Sequence, residues 1–373
     1  DERLGRKLAI TGKGRCNVTN DCSVEEALAN VPRNAKFLYG AFAKFPPSET
    51  MAFFEELGVP LKTERGKRVF PVSDKAGDVV AALERELRRL DVKIAREKAL
   101  SLIIDENVCR GVKTSAGEHF ARSVIVAAGG KSYPKTGSDG SGYALAKQAG
   151  HTVIEPAPSL VPLVTEEKWV KSACGLTLKN TAMKLLDGEK AVYEDFGEVA
   201  FTADGLGGAT ILSASAHISE MKRGRYSVML DLKPALSAEK LDARLLREFS
   251  ENRGKPFGEA LRKLLPSELC GAFSEITGIP SDKKVDEITK IERKTLVNTL
   301  KNLRLNIRDF RPLDEAIITR GGIKTSEISP KTMESRLVKG LFFAGEIIDV
   351  DAYTGGFNLQ IAFSTGKLAG ENA

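Results

Sequence analysis

The sequence has few cysteines for its 373 residues, and none of them pair by spacing. Cys16, Cys22, Cys109, Cys174 and Cys270 are odd in number, scattered, and never at C-x-x-C separation. That excludes a disulfide scaffold, argues against a zinc site, and predicts a reducing, cytoplasmic setting. Histidine is scarcer still. His119, His151 and His217 lie far apart, so surface or core roles are expected for them, not a metal centre or a triad. Long apolar runs are also missing. Residues 124–128 form an uncharged apolar run far too short to cross a membrane. The charged opening Asp1-Glu2-Arg3 has no secretory-signal character. Charge imbalance is slight, +6 on a chain that is 28% charged. It suits an anionic cofactor or substrate and gives no reason by itself to expect nucleic acid. There is no internal repeat and no low-complexity tract.

What is present is enough apolar residue, 42%, to bury a large core in two or three domains. The most informative stretch lies near the C-terminus. Gly340-Leu341-Phe342-Phe343-Ala344-Gly345-Glu346 reads as a short buried strand ending on Gly-Glu. Asp349-Val350-Asp351-Ala352-Tyr353-Thr354 follows as a tight loop, and Gly355-Gly356-Phe357-Asn358-Leu359-Gln360 opens a helix. A carboxylate at a strand's carboxyl end beside a bare helix N-terminus forms a nucleotide-cofactor site. The carboxylate of Glu346 accepts hydrogen bonds from sugar or ribityl hydroxyls, and the glycines admit a close ligand.

The rest of the chain divides by pattern. Residues 1–20 are basic and glycine-punctuated and read as loop. Ser48 reads as an N-cap before Met51, Phe54 and Leu57, with Gly58 as the stop. A second helix starts at Ser73 or Asp74 and aligns Val79, Val80, Leu83, Leu87 and Leu90 on one face. Short strands follow at 99–104, 108–114 and 123–128. The last ends on Ala128-Gly129-Gly130, and a loop then leads to a helix at about 142–149. That is a second nucleotide-site pattern. Within its loop, Gly137-Ser138-Asp139-Gly140-Ser141-Gly142 reads equally as a phosphate loop or a plain glycine-serine turn. Residues 157–233 alternate and turn often, as β-structure does. Residues 234–311 read as helical, with Leu241, Leu245 and Phe249 on one face and Leu296, Leu300 and Leu303 on another. Strand character returns before Gly321-Gly322. One nucleotide-binding domain, 1–156 plus 312–373, interrupted by an insert, is the economical α/β arrangement.

Several of these stretches resemble one bacterial family of FAD-dependent oxidoreductases, which includes aminoacetone oxidase-like enzymes and a reductase of bile-acid dehydroxylation. They are Arg6-Lys7 followed by Gly12-Lys13-Gly14-Arg15-Cys16-Asn17-Val18-Thr19-Asn20, then Arg68-Val69-Phe70-Pro71 and Ala128-Gly129-Gly130-Lys131-Ser132-Tyr133-Pro134. Pro158-Ser159-Leu160-Val161-Pro162-Leu163, Thr332-Met333-Glu334-Ser335 and the Gly-Glu tail continue the series in order across the chain. The resemblance implies a Rossmann-like, three-layer FAD-binding domain, with the insert divided into a barrel-like β part, 157–233, and an all-helical part, 234–311. Family members begin with a strand, a G-x-G-x-x-G turn and a helix that hold the FAD pyrophosphate, and an acidic residue then holds the ribose. This sequence has none of these and starts just after that acidic position. The expectation is a preceding segment that carries them. Loss of a central strand would expose apolar neighbours in a sheet normally buried on both faces.

By the same resemblance, Glu346 after Gly345 holds the ribityl chain. Gly355, Gly356, Phe357, Asn358 and Leu359 present a helix start to the flavin pyrimidine, where the dipole favours the charge of reduced flavin. Arg6, Lys7, Gly14, Arg15 and Asn17 form a basic loop toward the flavin or its phosphates. Cys16 in that loop reads as a small packed residue, since it has no partner thiol. Ala128, Gly129 and Gly130 allow the cofactor to approach, and Ala99 offers backbone groups to adenine. Arg320 and Tyr353, where the family varies, are the substrate-side candidates. The implied activity is hydride transfer between FAD and a small-molecule substrate, with NAD(P)H as a candidate reductant for which no second dinucleotide motif is visible. The alternatives are a flavin-dependent RNA-modifying enzyme and a non-catalytic flavin or nucleotide sensor.

Overall fold

The computed structural model describes residues 3–373. The chain divides into two compact units, Asp1–Ser159 with Pro312–Ala373, and Leu160–Arg311.

The first unit is mixed α/β. Its central feature is a parallel pair, Val124–Val126 beside Leu341–Phe343, in register from Leu341 on Val124 to Phe343 on Val126. All three residues of the second strand are buried, as its unbroken apolar run predicts. The helix Phe357–Asn372 packs on that strand. Ser141–Gln148 and Ala76–Arg89 supply further helices. Three smaller sheets complete the unit. Ala99–Asp105, Val108–Thr114 and Glu118–Phe120 form an antiparallel meander. Its first turn, Glu106-Asn107, has both residues at positive φ, as a two-residue hairpin requires. Thr19–Asn20, Arg68–Pro71 and Leu61–Glu64 form the second, and Val153–Ser159 pairs with Ile318–Ile323 in the third.

Three expectations for this unit need correction. The helix expected from Ser48 is Pro47–Glu56, capped from Pro46, because proline at the first helical position gives up no needed N–H. The second helix begins at Ala76, since Asp74 takes a left-handed conformation. The supposed N-terminal loop contains a five-residue helix, Arg6–Ile10, entered through a left-handed Gly5. That helix is too short to leave a periodic signature.

The second unit holds a closed six-stranded antiparallel barrel. Its order is Thr177–Asp187, Lys190–Phe201, Gly205–Gly207, Leu163–Thr165, Leu303–Phe310, Tyr226–Asp231. Closure removes the sheet edges that would otherwise need protection. Helices Ala238–Glu251 and Lys290–Lys301 follow the expected stripes, burying Leu241, Leu245 and Phe249 on the first and Leu296 and Leu300 on the second, and a further helix, Ser267–Thr277, buries Leu269 and Phe273. Segment 234–311 is nevertheless not all helical. Helix Lys290–Lys301, started by a Thr289–Glu292 capping box, stops before Asn302, and the chain turns into a barrel strand at Leu303. Leu303 continues the helical spacing of Leu296 and Leu300, but it opens the alternation Leu303, Leu305, Ile307, whose members are all buried. Barrel and helices therefore share one apolar core.

Candidate functional site

The two parallel strands run the same way, so their carboxyl ends lie side by side. Ala128-Gly129-Gly130 leaves one and Ala344-Gly345-Glu346 leaves the other. Ligands of open parallel sheets bind at such ends. Glu346 is fixed there by several donors. Lys7 Nζ lies 2.6 Å from its Oε2. Oε1 accepts from Ser132 Oγ at 3.0 Å and from the Thr319 backbone N–H at 2.8 Å. Lys7 also donates to Ser132 Oγ at 2.7 Å. Thr319 Oγ1 accepts from the N–H groups of Lys131 and Ser132, which pins the loop after Gly130. A Cβ on Gly130 would collide with Thr319 Oγ1 and crowd Glu346 Oε1, so glycine is required for this knot to close.

The helix start is built equally tightly. Gly356 caps Phe357–Asn372 at φ 101°, and a Cβ there would run into the Thr19 backbone. Asn20 Nδ2 donates to Gly355 O at 3.1 Å, and Thr19 Oγ1 lies 2.5 Å from Gln360 Oε1. The glycine pair is thus explained first by close packing on the Thr19–Asn20 strand. Asn358 ties the preceding loop together, accepting from Ala352 N at 2.9 Å and donating to Ala352 O at 2.7 Å. Leu359 packs in one small cluster with the buried Cys16 and Val18, and Phe357 is buried in the larger core.

The 11–17 loop is unusual in backbone. Gly12, Lys13, Gly14 and Cys16 all have positive φ, a conformation costing non-glycine residues about 1–3 kcal/mol and typical of functional loops. The thiol of Cys16 is pushed up to about 11 by burial, which makes it a poor nucleophile and supports the packing role. Arg15 faces elsewhere than expected. Its guanidinium bonds Glu64 and Asp74 and lies 4.2 Å from the Phe70 ring centroid, and these carboxylates hold its pKa well above the ordinary value. Asn17 Oδ1 is buried without a hydrogen-bond partner among the described residues. Gly14 and Arg6 are exposed. Ala99 is exposed at the start of an edge strand.

The loop after Glu346 carries a second polar cluster that sequence reasoning passed over. Asp351, 1% exposed, accepts two bonds from Arg33 Nη2, at 2.6 and 2.5 Å, and one from Ser159 Oγ at 2.7 Å. Asp349 accepts from Asn34 Nδ2 at 3.1 Å, and burial raises its carboxyl above the usual range. Tyr353 is half-buried, its N–H donating to Asn30 O at 3.0 Å, and burial raises its phenol. Arg320 sits in the Ile318–Ile323 strand opposite Ala157. Nothing local in the sequence joins Arg33 to Asp351, 318 positions apart. Ser132 and Thr319 give no sequence signal of their own, although Ser132 stands in the Ala128–Pro134 motif. The Gly137–Gly142 stretch is not an open phosphate loop. Asp139 Oδ1 already accepts from the Ser141 N–H at the helix start, placing a carboxylate where an anion would bind.

Parallel strands whose carboxyl ends frame a fixed carboxylate, beside a glycine-capped helix, define a nucleotide-cofactor protein of the Rossmann type. The chain belongs to the family described as HI0933-like protein Rossmann domain, whose model matches residues 1–372. It is 35% identical to a 3-dehydro-bile acid delta(4,6)-reductase of Clostridium scindens over 100% of this chain and 90% of that one. It is 30% identical to a ribosomal RNA dihydrouridine synthase of Haemophilus influenzae, over 98% and 88% of the two chains. The corresponding figures for an Escherichia coli ribosomal RNA dihydrouridine synthase are 26%, 98% and 88%. Among solved structures, a mutant of E. coli quinol fumarate reductase FrdA matches with TM-score 0.44 at 16% identity, covering 98% of this chain and 62% of that one. Aquifex aeolicus GidA matches with TM-score 0.37 at 11% identity, covering 90% and 58%.

The family binds FAD. The residues present fit the flavin-bearing part of that cofactor: a fixed carboxylate at paired strand ends, a capped helix start, and a left-handed loop with an orphaned buried acceptor at Asn17. Among the described residues no helix is long and apolar enough to cross a membrane.

Proposed function

We propose that this chain is an FAD-dependent reductase that saturates a carbon–carbon double bond in a small molecule, with NAD(P)H as electron source. Bound flavin supplies the hydride; the protein binds, orients and shields. Glu346 accepts hydrogen bonds from the ribityl hydroxyls, with Lys7 and Ser132 holding its orientation. The start of the Phe357–Asn372 helix turns its N–H groups and positive dipole end toward developing negative charge on the ring. The loop that carries Asp349 and Tyr353 lines the substrate side, with Arg320, and the buried Asp351 braces it through Arg33 and Ser159. The observation that carries this reading is Glu346 locked at the shared carboxyl ends of the two parallel strands. The relatives support the reaction class. A delta(4,6)-reductase and a dihydrouridine synthase are both named for double bonds that become saturated.

Those ribosomal RNA enzymes favour a second reading, in which the unsaturated substrate is a uridine within RNA and the +6 charge aids binding. One experiment separates them. The FAD-loaded protein is reduced anaerobically with NADPH or NADH, then mixed with a 3-dehydro-bile acid bearing delta(4,6) double bonds or with unmodified ribosomal RNA. Reoxidation by the steroid supports the small-molecule reading, and reoxidation by RNA supports the second. A flavin that NAD(P)H reduces but neither substrate reoxidises counts against both.

A further inference from the structure

Tyr133 carries a backbone strain that its own packing does not explain. It sits at φ 51° and ψ 58°, in the left-handed region. It also directly precedes Pro134, where extended backbone is favoured. Among the described residues of positive φ, two other bulky side chains are Leu160 and Met333. Those two are 1% and 0% exposed, so core packing holds them in place. Tyr133 is 37% exposed. Among the described residues its ring stacks on no other ring and its hydroxyl has no hydrogen-bond partner.

The loop is nonetheless fixed on both sides of this residue. The Lys131 and Ser132 N–H groups donate to Thr319 Oγ1 at 2.8 and 3.0 Å. Tyr133 O accepts from the Thr136 N–H at 2.9 Å and from Thr136 Oγ1 at 2.7 Å. Strain that the surroundings over-determine clusters at ligand clamps. The position suits one. Ser132, the preceding residue, bonds Glu346, whose side chain is 16% exposed and so open to a ligand. Ser132 Oγ also lies 3.2 Å from the carbonyl oxygen of Ile317, another exposed apolar residue. Solvent-facing apolar side chains thus flank the knot that holds the carboxylate. Ligand sites pair such surfaces with a few fixed polar groups.

We propose that Tyr133 is a ligand-contacting residue whose ring packs against the flat ring system of the flavin. The ribityl chain is attached directly to that ring system. An aromatic side chain one residue from a partner of Glu346, the ribityl anchor, is therefore placed to meet it. Offset or edge-to-face packing of two aromatic systems is favourable beyond the area it buries. The contact rests on the flavin reading above.

The test uses the full-length protein with its Y133F and Y133L variants. Affinity is measured for FAD, for lumiflavin, which keeps the ring system without the ribityl chain, and for ADP, which lacks the ring system. Y133L weakens FAD and lumiflavin alike, by about 2- to 12-fold. Y133F keeps the ring and binds both as the wild type does, and ADP affinity is equal in all three proteins. FAD and lumiflavin bound equally well by Y133L and the wild type overturns the proposal. So does a loss in Y133F as large as in Y133L, which would put the effect on the hydroxyl, or an equal loss for ADP, which would put it on the fold of the loop. A second pair isolates the strain. Y133G melts at a higher temperature than Y133A, the reverse of the usual order, because only alanine carries a Cβ at this φ. Y133A melting at or above Y133G would remove the strain on which the proposal stands. If the wild type binds neither FAD nor lumiflavin, the flavin reading itself fails; if it binds both and Y133L matches it, only the ring contact fails.

Discussion

The unit formed by Leu160–Arg311 and the unit formed by Asp1–Ser159 with Pro312–Ala373 bury different chemistry. The first encloses a continuous apolar core from Leu163 to Ile307, and its fully buried polar residues are threonines, serines and Asn252, with one carboxylate oxygen each of the partly exposed Glu167 and Glu248 also buried. The second also has a large apolar core, but it buries Asp351, Gln360, His151, Ser132 and the hydroxyl of Tyr143 within or beside it. Buried polar groups cost stability unless satisfied. A unit that carries them where two strand ends meet suits the proposed flavin site, while the barrel unit is organised around closure.

The largest expected effect breaks the barrel side of that contrast. Phe257, fully buried in its core, loses about 3–5 kcal/mol of stability on F257A, seen as a lower denaturation midpoint. FAD affinity of the folded variant stays unchanged. An equal fall in flavin affinity would mean that the division of labour is wrong. G356A comes next and acts on the other unit. The left-handed conformation and the collision with Thr19 together cost about 2–4 kcal/mol, and the distorted helix start weakens FAD binding too. A G356A protein of unchanged stability would show that packing on Thr19 is loose.

A smaller effect sharpens the contrast through pH. His151 is buried, its Nε2 2.7 Å from Ser335 Oγ and its ring edge-on to Phe343 of the strand leading to Glu346. Burial lowers its folded pKa. The unfolded chain therefore takes up the proton first, at about pH 6.5. Stability from the neutral imidazole is complete above that pH and drains away below it, by at most about 1.4 kcal/mol per pH unit until the folded pKa is reached. Glu327 Oε2, 3.3 Å from Nδ1, offsets part of the loss. Denaturant melts of wild type and H151Q between pH 7 and 5 should converge as pH falls. Parallel curves would remove His151 from the acid response.

Much of the site was legible because its signals are local. The apolar run 341–343, the Gly-Glu that follows and the glycine-capped helix are all adjacent in sequence, and each has a backbone reason to be where it is. Lys7 and Glu346 both read as cofactor contacts from the sequence, yet their 2.6 Å pairing spans 339 positions and leaves no trace in the pattern. Charge alone points Arg15 to an anionic cofactor, and its partners Glu64 and Asp74 cannot be read from spacing. The barrel's closing strand was lost for a different reason. Leu296, Leu300 and Leu303 fit a helix until Asn302 ends it, and period alone gives no weight to that break. Tyr133 stands in the Ala128–Pro134 motif, yet its left-handed backbone is a property of the folded loop.

The most direct measurement of the central claim is a visible-spectrum titration of the purified full-length protein with FAD, run beside its E346A variant and followed by desalting. The account predicts a perturbed flavin band retained by the wild type. It also predicts an affinity at least about 10-fold lower in E346A, since the carboxylate's hydrogen bonds are worth about 1.5–3 kcal/mol. A full-length wild-type protein that keeps no flavin, or an E346A variant that keeps it equally well, would contradict the placement of FAD at these strand ends.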